Sequence, residues 1–158
     1  MIQKFLEWLK HLFVVSERHA QLRQYLLFKD LNAHQLQLVD NCLHNREFKA
    51  GETLFETGFP LEVLYFIAEG ELKVSGASPS EGFQTLKKHD CVGVADLFAK
   101  EKRSGTATAL TDLSLLALSQ TDFWDLVNKN SALGVKILSA CCRILGRQIT
   151  DNGPYNQA

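Results

Sequence analysis

Between Arg46 and Leu118 the chain keeps to one plan, a short β-rich run followed by a turn residue. Arg46-Glu47-Phe48-Lys49 runs into Ala50-Gly51, and Thr53-Leu54-Phe55-Glu56-Thr57 into Gly58-Phe59-Pro60. Val63-Leu64-Tyr65-Phe66-Ile67-Ala68 reads as a buried strand that turns at Glu69-Gly70-Glu71 into Leu72-Lys73-Val74-Ser75. A polar loop from Gly76 to Gly82, Phe83-Gln84-Thr85-Leu86 and a closing run, Leu113-Ser114-Leu115-Leu116-Ala117-Leu118, complete the series. Regularly spaced short strands with turn signals between them predict an all-β barrel or roll. Gly51, Gly58 and Gly70 are read as turn glycines and take no part in a site.

The stretch from Cys91 to Asp112 carries the chemistry. It reads as a strand end, a Gly turn, one short helix, a charged loop containing Arg103-Ser104, and a second strand. Free backbone N–H groups gather where such a helix begins, which suits an anion. Arg103 has the planar fork that clamps a phosphate, with the Ser104 hydroxyl as a second donor. A Gly turn before a short helix is a common device, so the bare pattern is also what an ordinary turn would show.

Composition bounds the rest. At 158 residues the chain is long enough for one domain with a core and helical additions, and 46% hydrophobic with 22% charged residues is ordinary for a globular protein. A net charge of −1 gives no general attraction to nucleic acid. No apolar run approaches the roughly 20 residues of a membrane span, and Glu7 and the lysines interrupt any signal-peptide centre. Cys42, Cys91, Cys141 and Cys142 have no CxxC spacing and are expected to be reduced thiols in a cytoplasmic protein. His11, His19, His34, His44 and His89 have no metal-ligand spacing, and His89 is read as a solvated turn residue.

Helices are expected at both ends. Residues 2–14 have an apolar stripe (Ile2, Phe5, Leu6, Leu9, Leu12, Phe13), expected to pack on the domain or a second copy, with partner or membrane-surface docking as the other reading. Ser16 is the expected cap of a second helix reaching about Phe28, and Asn32 the cap of a third carrying Leu36, Leu38, Val39, Cys42 and Leu43. Ser119–Asp122 opens a short helix to about Asn128. Ser131 is expected to cap the last helix, with a stripe of Leu133, Ile137, Leu138, Cys141, Ile144 and Leu145. The organisation expected is residues 1–30 as a helical extension, 31–150 as the main domain with its C-terminal helix, and 151–158 as a polar tail.

Two stretches in order resemble the cyclic-nucleotide-binding domain family, which includes the catabolite activator protein and the regulatory subunits of cyclic-AMP-dependent kinases. The first is Ala-Gly-Glu-Thr-Leu-Phe-Glu-Thr-Gly, followed at family spacing by Leu-Tyr-Phe-Ile-Ala-Glu-Gly-Glu-Leu-Lys-Val. The second is the phosphate-binding cassette: Gly93 and Leu97 match, Arg103 stands at the spacing of the kinase branch, and Ser104, Thr106 and Ala109 follow in register, with Gly105 where Ala is usual. The resemblance spans roughly residues 28–150. It implies a mainly β fold, a double-stranded β-helix or jelly roll with N-terminal helices and a C-terminal helix that often makes a dimer seam. It also implies a ligand site at Gly93, Val94, Ala95, Arg103, Ser104, Gly105 and Thr106. Val94 stands where the family's Glu holds the ribose 2′-hydroxyl, and Asp96, two residues on, is expected to point elsewhere.

Three readings stay open. One is a non-enzymatic regulatory or sensor module binding cyclic AMP or cyclic GMP with reduced affinity or altered selectivity. Another is a ligand-free interaction or dimerisation adaptor working through its N-terminal or C-terminal helices. The third is a pocket for another anion lacking the ribose hydroxyl. No nucleophile elbow, Cys/His pair or paired carboxylates support an enzyme, and no basic recognition helix supports DNA binding by this chain alone. Arg103→Ala is expected to abolish ligand response with the fold intact, and Val94→Glu to create or strengthen affinity.

Overall fold

The computed structural model describes residues 17–76, 82–99 and 102–152, with side chains to residue 150. Its strands are β1 (Leu43–Phe48), β2 (Thr53–Phe55), β3 (Val63–Glu69), β4 (Leu72–Gly76), β5 (Phe83–Leu86), β6 (Cys91–Val92), β7 (Gly105–Ala109) and β8 (Leu113–Ser119). They pair antiparallel into two four-stranded sheets, β1-β8-β3-β6 and β2-β7-β4-β5. Among the described residues, helices α1 (Ala33–Asp40), α2 (Val94–Ala99), α3 (Gln120–Lys129) and α4 (Ser131–Asn152) flank them, and residues 17–22 are helical as well. The mainly β roll with flanking helices read from the sequence is the architecture observed. The amphipathic stretch at 2–14 and its neighbour Ser16 lie outside the described residues, as do residues 153–158 of the tail expected at 151–158; residues 151 and 152 continue α4.

The sheets divide the core in two. Between them lie Ile67, Leu72, Val92, Ala107, Ala109, Leu113 and Leu115, with Phe48, Phe55, Tyr65 and Val74 partly buried around them. The outer face of the first sheet presents Leu64, Phe66, Leu116 and Leu118 to the helices. Strand β8 lies between β1 and β3 and contributes to both layers, which explains its nearly unbroken apolar run. Its neighbour β3 alternates in the same way, Tyr65 and Ile67 inward, Leu64 and Phe66 towards the helices.

Three helical expectations are corrected. The third helix ends at Asp40 and does not carry Cys42 and Leu43: the Cys42 N–H bonds to Val39 O, and Leu43 leaves to pair with Leu118 in the sheet. Asn130 rather than Ser131 caps α4, accepting the Leu133 N–H at 3.0 Å. Among the described residues the second helix is regular only over residues 17–22. Beyond it the N–H groups of Tyr25, Phe28 and Leu31 bond to the carbonyls of Leu22, Tyr25 and Phe28 respectively, each three residues back. Such tightened turns stack residues at a spacing of three, and Leu22, Tyr25, Phe28 and Leu31 are all buried in the helical-side core.

Tyr25 anchors this segment. Its hydroxyl donates to Ile67 O at 3.1 Å, its ring meets Phe28 and Phe66 edge-on, and His89, held in a turn at φ 74°, packs against it at 5.6 Å. His89 is therefore a turn residue as expected, but half-buried rather than fully solvated. Burial pushes the Tyr25 phenol up to about 12. Above pH 10 an unfolded chain would release this proton while the folded one keeps it, so stability falls as pH rises towards 12, by about 1.4 kcal/mol per pH unit. Tyr25→Phe is expected to be the less stable protein at neutral pH and to close the gap above about pH 10, because phenylalanine has nothing to ionise. Parallel urea-midpoint curves against pH for the two proteins would refute this.

Candidate functional site

The expected cassette forms as predicted: β6, a turn at Gly93, the single-turn helix α2, and β7 beginning at Gly105. Backbone bonds tie its far end to the β2–β3 connection. The Arg103 N–H donates to Phe59 O and the Gly58 N–H donates to Arg103 O, both at 2.8 Å, with a bridge between Pro60 and Lys102. Gly93 has φ 107°, and a Cβ there would stand 2.9 Å from Arg103 Nη1. Glycine at that turn is thus required by the backbone and by the guanidinium. Gly105 is explained by packing alone: a Cβ would fall 2.3 Å from the carbonyl oxygen of Ser75 on β4.

Arg103 is the centre of the site and is only 4% exposed. Its guanidinium lies 3.7 Å over the Phe55 ring, which is stacked in turn with Tyr65. Nη2 donates to Val63 O at 2.6 Å. Nη1 lies 3.8 Å from an Asp96 carboxylate oxygen. Nε and Nη1 have no hydrogen-bond partner among the described residues. Burial lowers the guanidinium below its ordinary value, while Asp96, Tyr65 and Glu62 draw it back up. Beside it opens a cavity of about 380 Å³, walled by Phe55, Phe59, Val63, Tyr65 and the acidic Glu56 and Glu62. That is within the usual range for a small-molecule site, roughly 300–1,000 Å³.

Of the seven residues predicted from the cassette, Arg103 is the one in the wall of this cavity among the described residues. Val94 is 2% exposed and belongs to the helical-side core, so it offers an apolar surface rather than an acceptor. Ala95 and Ser104 are exposed. Ser104 joins the site through its backbone N–H, and Thr106 Oγ1 accepts the Thr57 N–H at 3.1 Å, pinning β7 to the turn after β2. The burial of Arg103 corrects one expectation: its removal cannot leave the fold untouched.

Asp96, expected to point elsewhere than the ribose acceptor, turns into the cassette itself: it is 5% exposed, and its Oδ1 accepts the Ser104 N–H at 3.0 Å while Oδ2 faces Arg103. The signal was present in the sequence. A lone carboxylate flanked by Val92, Val94 and Leu97, all apolar, needs a partner if it is buried, and Arg103 of the following loop is the cation that faces it. Phe55 and Tyr65 were also missed, although alternation along β2 and β3 turns both towards the roll interior.

Elsewhere, no group of three or more His, Cys, Asp or Glu that could hold a metal lies among the described residues. Burial raises the Cys91 and Cys141 thiols to about 12, leaving them protonated and unreactive. No described helix is long and apolar enough to cross a membrane.

The structure is a two-sheet roll whose turn carries an inward arginine beside a small cavity, and comparison with known proteins gives the family. Residues 45–130 match the cyclic nucleotide-binding domain, and the chain belongs to that family. It is 35% identical over 109 residues to a cGMP-dependent protein kinase of Toxoplasma gondii, covering 66% of this chain and 11% of the kinase. It is 32% identical over 97 residues to a cyclic nucleotide-gated potassium channel of Mesorhizobium japonicum, covering 61% of this chain and 26% of the channel. The chain thus spans under a third of these curated relatives. Among solved structures, the N-terminal domain of a transcriptional regulator from Streptomyces coelicolor superposes with a TM-score of 0.68 at 28% identity, over 87% of this chain and 99% of that one.

Proposed function

We propose that the chain is a non-enzymatic, cytoplasmic regulatory module that reads a cyclic nucleotide weakly or with altered selectivity. Family membership supplies the ligand class, cyclic AMP or cyclic GMP. The observation that carries the rest is the contrast inside the cassette. Arg103 is present, inward and incompletely hydrogen-bonded among the described residues, whereas Val94, which the resemblance sets at the place of the family's ribose-binding carboxylate, is packed into the core. A ribose hydroxyl left without a charged acceptor costs about 1.5–3 kcal/mol, roughly tenfold or more in affinity. Calorimetric titration with both nucleotides into the low-millimolar range tests this. Saturable heat that disappears in Arg103→Lys, which keeps a cation but loses the planar fork, is the expected result. Absence of heat with either nucleotide removes the sensor reading.

A second reading, self-association, is favoured by α4. Val135 and Ile149 are each 67% exposed, Cys142 is exposed and Leu138 and Leu145 are half-buried. Positions 135, 138, 142, 145 and 149 repeat with alternating steps of three and four, the a/d pattern of a two-stranded coiled coil. The occupant that fits is a second copy in parallel, which places the two Cys142 thiols opposite each other. Mild oxidation is expected to yield a disulfide-linked dimer that Cys142→Ser abolishes. A sedimenting monomer at every concentration refutes it.

A further inference from the structure

We propose that Asp96 is the cassette's own anion, a carboxylate seated where a ligand phosphate would otherwise sit. Beside the N–H groups where α2 begins, a phosphate bound in this turn would draw on two groups, the Arg103 guanidinium and the N–H of Ser104 that follows it. Both are already engaged by one side chain: Oδ1 takes the Ser104 N–H at 3.0 Å and Oδ2 stands 3.8 Å from Arg103 Nη1. The pair is largely buried, Asp96 at 5% and Arg103 at 4% exposure, with Arg103 reaching the cavity wall. A charge so enclosed is held because its opposite is beside it. An incoming phosphate therefore meets a neutral pair in place of a free cation, and it must approach a second negative group at close range.

The fit is incomplete in an informative way. Nη1 lies beyond hydrogen-bond distance of the carboxylate, and Nε and Nη1 stay without acceptors among the described residues. The charge of Arg103 is matched while part of its donor capacity is unspent. Asp96 thus acts as a selectivity residue. It sets the cassette against anions and leaves room for an acceptor strong enough to displace it. This role presupposes the anion seat of Arg103 and Ser104 described above, and the two fail separately.

The test compares the full chain with Asp96→Ala and Asp96→Asn. The asparagine variant keeps the volume and the acceptor for Ser104 but removes the charge. Inorganic phosphate is the probe, read by thermal midpoint against matched ionic strength in chloride, with cyclic AMP titrated in parallel by calorimetry. Phosphate is expected to leave the wild-type midpoint unchanged and to raise that of both variants, since a ligand that binds only the folded state stabilises it. Affinity for phosphate is expected to rise roughly tenfold or more on losing the carboxylate, and the gain to vanish when Arg103→Lys is added. If Asp96→Ala does not fold, the wild-type and Asp96→Asn responses decide the matter. A wild-type protein already stabilised by phosphate, or an Asp96→Asn protein that ignores it, overturns the assignment. Phosphate response in Asp96→Asn with no cyclic AMP bound by any form supports Asp96 and removes the nucleotide reading. Arg103-dependent cyclic AMP binding that is unaltered in both variants overturns Asp96 and leaves the nucleotide reading standing.

Discussion

Arg103→Ala lowers stability by about 3 kcal/mol or more, the cost of leaving a buried carboxylate without its partner. The substitution strands Asp96 at 5% exposure, gives up the bond to Val63 O and uncovers one face of Phe55. For a domain of this size that corresponds to a melting temperature lower by roughly 6–12 °C, measured by differential scanning calorimetry. Asp96→Ala made alone is destabilising for the mirror-image reason, an unpaired buried guanidinium. The double variant is expected to recover part of the loss, because the two residues are coupled. Strict additivity of the two single losses would mean that the pair does not interact in solution. A residue that binds ligand and also supports the fold complicates activity assays, since loss of response in Arg103→Ala mixes both effects. Arg103→Lys is the cleaner variant for ligand work.

Val94→Glu is the second large effect, and its sign is opposite to that expected from the cassette pattern alone. Val94 lies in the same apolar cluster as Leu61, Leu64, Leu97 and Leu116. A carboxylate there is buried without a paired cation, because Arg103 already faces Asp96. The expected loss is about 3 kcal/mol or more, read as a lower urea midpoint at unchanged slope. No gain in cyclic nucleotide affinity is expected from the single change. If affinity rises and stability holds, the introduced side chain has turned to the cavity and the packing at 94 is more permissive than its burial implies. Val94→Glu combined with Asp96→Ala restores one negative group for one removed, and it is the natural variant with which to rebuild a nucleotide grip.

The strands were legible because their physics is local. Alternation along β3, the unbroken apolar run of β8 and the turn glycines need no knowledge of distant partners. The cassette was legible for the same reason, since its Gly, short helix and Arg lie within a dozen residues of one another. The Asp96–Arg103 pair is just as close in sequence, and it was missed for a different reason. On a helix this short two residues of separation imply divergent directions, but Ser104 and Arg103, beyond α2, lie against the carboxylate. Tertiary context also overrode periodicity at 23–31. The apolar residues there suit either a regular helix or a spacing of three, and the tie is broken by the reach of Tyr25 to Ile67 O. Leu43 followed the same rule, leaving the helix pattern because Leu118 was waiting in the sheet.

The turn at 22–31 bears on how the protein is handled by proteases. A division at residue 30 separates an extension from a domain on paper, yet Leu22, Tyr25, Leu27 and Phe28 are within 3% of complete burial in the same core as α4. Arg23 and Lys29 stand exposed on that segment, inviting trypsin by side chain while the backbone between them is clamped. Cleavage there requires the core to open, so the nicking rate at these two residues is a clock for opening of the fold as a whole, and any ligand or second copy that closes the fold will slow it.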